Sequence, residues 1–146
     1  MMTDLLTAEG YFAGVFNKAP WENATDEQRL VALTQANRAI NKLAFRSRRL
    51  DESQADAFPR VSWLSIPEDI QNAIHEEALA ILDGRDIEIE KQNLSTITQM
   101  FAGVKQQFDR QAYQMDNILA GILSATAWEH LVPYLKDPQS GRILRS

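Results

Sequence analysis

Residues 57–82 read AFPRVSWLSIPEDIQNAIHEEALAIL, and the second half of this stretch decides the fold. Pro67 suits the first turn of a helix, where its missing N–H would have had no partner in any case. Glu68 and Asp69 follow at the end where the helix dipole favours acids. Ile70, Ala73, Ile74, Ala78 and Ile81 then recur at helical spacing, and Gly84 supplies a stop. The anomaly is Glu77, which lies inside this apolar stripe. A carboxylate so placed costs on the order of several kcal/mol unless paired. Arg60, at the end of the proline-stiffened FPR segment, is the expected partner; the other reading rotates the helix slightly and lets Glu77 reach solvent along its flexible stem.

Helix signals dominate on either side. Thr7 is the expected cap of a short helix carrying Tyr11, Phe12, Val15 and Phe16 and ending before Pro20. Thr25 and Gln28 form a capping box, each side chain satisfying the other residue's exposed backbone N–H. From there Leu30, Leu33, Ala36, Ile40, Leu43 and Ala44 keep helical spacing. Residues 85–116 admit two readings. IEIE and VKQQF alternate by twos around an Ala102–Gly103 turn signal, as in a hairpin, whereas Phe101, Val104, Phe108, Ala112 and Met115 fit a helix. Beyond Asp116, NILAGIL and SATAWEHLVPYL read as two short helical pieces, the second capped by Ser124 and interrupted near Pro133. The expected fold is mainly α: a small bundle of four to five helices, with a short β-hairpin or extended arm at about 86–112. Residues 1–136 make one domain, and 137–146 a flexible C-terminal tail that orders on a partner through Ile143 and Leu144.

Composition narrows the classes. The chain has 146 residues, no cysteine and a net charge of −5, so neither disulfides nor a Cys-ligated zinc is available to it. Its first twenty residues carry no basic n-region and no long apolar run, which argues against a signal peptide or a membrane span. The charge is unevenly spread. Residues 38–60 hold six basic and three acidic side chains, whereas 61–101 hold two basic and eight acidic ones. Such opposed patches suit pairing within the fold or between copies better than general nucleic-acid affinity.

The basic residues have a geometry if the second helix continues far enough. At about 100° per residue, Arg38, Lys42, Arg46 and Arg49 fall on one stripe away from the leucines. Three readings stay open: a solvated face, a site for an acidic protein partner, and a track for nucleic-acid phosphates. Catalytic chemistry finds no support. His75 and His130 are isolated, HEEAL lacks the second histidine of a zinc-hydrolase helix, and the six glycines form no phosphate-cradling loop. No catalytic residue, cofactor or metal ligand is expected, and the chain reads as a non-enzyme.

The order of motifs supplies what the residues alone do not. YF at 11–12, ATDEQR at 24–29, ALTQANRAIN at 32–41, FPR at 58–60, IPEDIQNAIHEEALAIL at 66–82, AGVKQQFD at 102–109 and SATAWEHLVPYL at 124–135 stand in sequence. Over roughly residues 6–135 this order resembles the head-tail connector (adaptor, or head-completion) proteins of tailed bacteriophages. It resembles in particular the set labelled DnaT-like single-stranded DNA-binding proteins. The chain departs from the pattern at FRSRR, residues 45–49, and in the polar run 51–57.

The resemblance implies a virion protein, assembled in the host bacterial cytoplasm, whose copies form a ring, commonly of twelve, beneath the portal. Such a ring extends the DNA channel, lets the genome pass without sequence-specific binding, and gives tail or nozzle proteins their docking surface. It involves no membrane. A closed ring joins unlike faces of one molecule, so the basic stripe and the acids Glu68, Asp69, Glu88 and Glu90 are the expected mating faces, with Ile143 and Leu144 at a neighbour or the portal. An acidic channel wall would repel phosphates and let DNA slide. The label carries a rival reading, a single-stranded DNA-binding accessory in which Trp63 stacks bases among Arg46, Arg48, Arg49 and Arg60. A third is a helical adaptor for another protein.

Overall fold

A computed structural model describes residues 1–100 and 116–136. The chain is mainly helical: α1 Leu5–Phe12, α2 Ala19–Glu22, α3 Asp26–Asn41, α4 Glu68–Leu82, α5 Ile87–Met100, α6 Asp116–Leu119 and α7 Ala125–Leu131, which runs into a 3₁₀ turn at Val132–Tyr134. Among the described residues, extended pairing is confined to isolated bridges, Phe45–Leu135, Arg49–Arg60 and Arg60–Trp63.

Helix α4 is the central element, packed on α3 on one side and α7 on the other. Ile70, Ala73, Ile74 and Ala78 are fully buried, as the stripe predicts. Pro67 is the N-cap of α4, and Gly84 takes φ +85°, the left-handed conformation that ends a helix without a Cβ clash. Helix α3 opens on the predicted capping box: the Gln28 N–H donates to Thr25 Oγ1 at 3.2 Å and the Thr25 N–H to Gln28 Oε1 at 2.9 Å. Leu33, Ala36 and Ile40 are buried along it, but Leu30 is 48% exposed and Ala44 is also exposed; Ala32 and Asn37 complete the inner face.

Three local expectations are corrected. Asp4, not Thr7, caps α1, and Thr7 supplies the N–H that the Asp4 carboxylate accepts at 2.7 Å. Residues 87–100, including IEIE, form helix rather than a hairpin arm. Four alternating residues fit either period, and here Asp86 Oδ1 takes the N–H of Glu88 at 2.8 Å in the opening turn. The second arm of the expected hairpin and the tail with Ile143 and Leu144 lie outside the described residues.

Finally, α3 stops at Asn41 with Lys42 as its C-cap. The chain is drawn out of the helix by pairing with the C-terminal segment: the Arg46 N–H donates to the Tyr134 carbonyl, and the Lys136 N–H to that of Ala44, both at 2.9 Å. Phe45 is thereby buried against Phe58, with ring centroids 4.9 Å apart.

Candidate functional site

The end of α3 breaks the predicted basic stripe in two. Arg38 is exposed on the helix and Lys42 caps it, while Arg46 and Arg49 belong to the irregular segment beyond. That segment is a built loop. Asn41 and Asn37 both donate to Asp56 Oδ1, at 2.9 and 3.1 Å, and Asn41 Oδ1 accepts from the Ala57 N–H, so α3 holds residues 56–57 by side-chain amides. The Leu50 N–H reaches the Pro59 carbonyl and the Val61 N–H that of Arg48, fastening 48–50 to 59–61.

Arg60 sits at the centre of this loop, not beside Glu77. Its guanidinium donates to the carbonyls of Arg46 at 3.0 Å, Ala57 at 2.9 Å and Ser47 at 2.6 Å, with a longer contact to Phe45 at 3.5 Å. A planar fork with five donors suits several carbonyls that a lysine cannot serve together. Burial lowers its pKa, and the Arg49 charge adds to the effect. We expect Arg60→Lys to cost about 1–2 kcal/mol, since most of the carbonyl bonds are lost while the charge is kept. Urea unfolding checks this, and an unchanged midpoint would mean that the loop does not depend on the fork.

Around Arg60 the loop carries an open groove of about 490 Å³, flanked by Arg46, Arg48, Arg49 and Lys136 with Glu52 as its single acid. Arg46 donates to the Pro133 carbonyl. Among the described residues, no carboxylate lies within ion-pair distance of Arg38, Lys42, Arg46, Arg48, Arg49 or Arg60; the pairs that exist are made by Arg29, Arg85, His130 and the N-terminal ammonium, which lies 3.3 Å from Asp56. Trp63 is half-buried, 5.1 Å from the Tyr134 ring and 5.9 Å from Phe58, so it roofs the core rather than standing out as a stacking platform.

The predicted acids divide. Glu68 and Glu88 are exposed. Asp69 is engaged within the chain, accepting the Tyr134 hydroxyl at 2.9 Å and lying 3.4 Å from His130 Nδ1. Glu90 pairs with Arg85 at 2.8 Å. Glu77 is 1% exposed, and its two oxygens accept the backbone N–H groups of Leu123 and Ser124, each at 2.9 Å. Gly121, at φ +90°, and Asn117, whose side-chain amide donates to the Ile122 carbonyl at 3.0 Å, turn the chain so that these two N–H groups face α4. Burial pushes the Glu77 pKa up, with the two N–H bonds working against the shift.

At the opposite pole lies a surface that the sequence reading missed. The first half of α3, with Ala19 and Pro20 of α2, meets the end of α4 at Ile81 and Leu82, leaving an open groove of about 750 Å³. Glu27 and Asp83 are the charged residues of its rim, and no basic side chain lines it. The exposure of Val31, 52%, is the trace it leaves in the sequence pattern, as an apolar residue just off the buried stripe. Among the described residues, no helix is long and apolar enough to cross a membrane, and no three His, Asp or Glu side chains gather as a metal site. No family model, curated protein or solved structure matches the chain.

Proposed function

We propose that the chain is a structural adaptor of a phage head-tail junction, a non-enzymatic virion protein whose copies ring the portal and offer the tail an attachment surface. The observation that carries the reading is the arginine loop at 46–60, which is internally braced by hydrogen bonds and whose arginines have, among the described residues, no carboxylate partner. Cations held in a fixed arrangement without a neighbouring acid suit an acidic protein surface, which they would steer and orient. The motif order set out above supplies the particular setting, and the net charge of −5 favours protein partners over free nucleic acid.

The test is direct. The full chain is mixed with its cognate portal assembly and imaged. Rings at the narrow end of the portal are the expected result, and Arg48→Glu with Arg49→Glu should abolish them. Chains that stay apart from the portal, or that bind single-stranded DNA tightly at physiological salt, would sink the adaptor reading.

A further inference from the structure

Two surfaces described above lie at opposite ends of the α3–α4 pair. The groove takes the N-terminal half of α3 and the last residues of α4. The arginine loop joins the C-terminal end of α3 to the start of α4. At about 1.5 Å rise per helical residue the two are separated by roughly 20 Å along the helices. They are also complementary. The groove is concave, apolar at its floor through Ala32, Ile81 and Leu82, and rimmed by Glu27 and Asp83. The segment from Arg46 to Leu64 is rich in arginine, and beside its own groove it exposes large apolar side chains: Leu64 is 73% exposed, Leu50 52% and Val61 46%.

Main-chain bonds brace the positions of Leu50 and Val61 next to Arg48 and Arg49, and Leu64 follows directly on the last braced residue, Trp63. Leu50 N–H donates to Pro59, Val61 N–H to Arg48, and Arg60 and Trp63 exchange N–H···O bonds around the Val61–Ser62 turn at 2.8 and 2.9 Å. Exposed apolar side chains on a braced, positively charged loop are what an acid-rimmed apolar groove would receive.

We propose that the loop of one copy docks in the groove of a second copy, with Leu64 as the inserted side chain and Arg48 and Arg49 over Glu27 and Asp83. Because the two patches are different and sit at opposite poles, the contact is head-to-tail, and each added copy presents a new groove. This rests on the adaptor reading only in taking a second copy as the partner. It replaces the expected pairing with Asp69 and Glu90, which are engaged within the chain. A single loop in a groove falls short of the roughly 1,000 Å² that a stable interface needs. The contact is therefore weak for two free copies and is strengthened when a scaffold such as the portal holds them side by side.

The cysteine-free chain makes the test clean. Full-length Val31→Cys and full-length Leu64→Cys are mixed in equal amounts and oxidised gently, since a disulfide forms only where the two Cα atoms approach within about 7 Å. The expected result is a mixed disulfide about tenfold above either homodimer, and a ladder of higher oligomers from the double variant. Glu27→Lys in the groove partner should cut the mixed product about tenfold, and Arg48→Glu in the loop partner should restore it. The proposal fails if homodimers dominate, if the mixed yield is no higher than for Val31→Cys with Leu6→Cys, or if the double variant closes on itself as a monomer. Laddering by a chain that ignores the portal would overturn the adaptor reading and keep this contact. Portal-bound rings in which residues 31 and 64 fail to cross-link would do the reverse.

Discussion

Glu77→Ala is expected to destabilise the fold by about 2–6 kcal/mol, because it strands two buried backbone N–H groups at about 1–3 kcal/mol each. The donors are Leu123 and Ser124, and among the described residues no cation stands in hydrogen-bond contact with the carboxylate. Glu77→Gln separates this account from an ion pair. An amide has one acceptor oxygen, so one N–H keeps its partner while the other faces an NH₂, and about half the alanine cost should remain. The pH dependence has a definite sign. Burial raises the carboxyl pKa above its ordinary 4.5, so the folded state holds the proton more tightly. The contribution of this group is then present below the unfolded pKa and is lost as pH rises through the folded one. Denaturant titrations of both variants check the ranking. An alanine variant within about 0.5 kcal/mol of the parent would mean that water serves the two N–H groups instead.

A second large effect belongs to His75, and its sign is opposite. The ring is fully buried, with centroids 5.2 Å from Tyr11 and 6.2 Å from Phe12, Nε2 2.7 Å from Thr3 Oγ1, and Nδ1 without a hydrogen-bond partner among the described residues. Burial lowers its pKa from 6.5 to about 4, opposed by the Asp4 carboxylate. Between those values the unfolded chain binds more protons than the folded one, so stability is full above pH 6.5 and falls as pH drops toward 4. The shift corresponds to about 3 kcal/mol at 1.36 kcal/mol per pH unit. Stability measured from pH 7 down to pH 4 should show this loss in the parent and not in His75→Gln, so that the difference between the two curves changes across this range. Parallel curves would place the acid sensitivity elsewhere.

Local chemistry was legible in the sequence, and distant backbone was not. The capping box at Thr25, the start of α4 at Pro67, its stop at Gly84 and the Ser124 cap all rest on residues within four positions of one another, and all four appear in the structure. The burial of Glu77 was equally visible, as an acid on an apolar face. Its partners were hidden, because a backbone N–H belongs to every residue type except proline and marks no side chain in the sequence. The same blindness misplaced Arg60, which serves main-chain carbonyls rather than an acid. The basic stripe failed for another reason. Nothing between Arg38 and Arg49 breaks a helix by composition, and α3 ends because residues 44–46 pair with 134–136 instead. The groove was unreadable because it is shared by α2, α3 and the far end of α4.

The pairing of Glu77 with residues 46 and 47 positions later also sets an order of events during synthesis. At roughly 5–20 residues per second, a ribosome completes α4 about 2–8 s before it polymerises Leu123 and Ser124. Throughout that interval α4 cannot bury its inner face without also desolvating a carboxylate that has no donors yet. The packing of α4 is therefore expected to reach full stability only once the turn at Gly121 has been made. A product released early, lacking that turn, is therefore expected to be less stable and more readily cleaved by proteases than the full chain, because its buried acid has lost both donors.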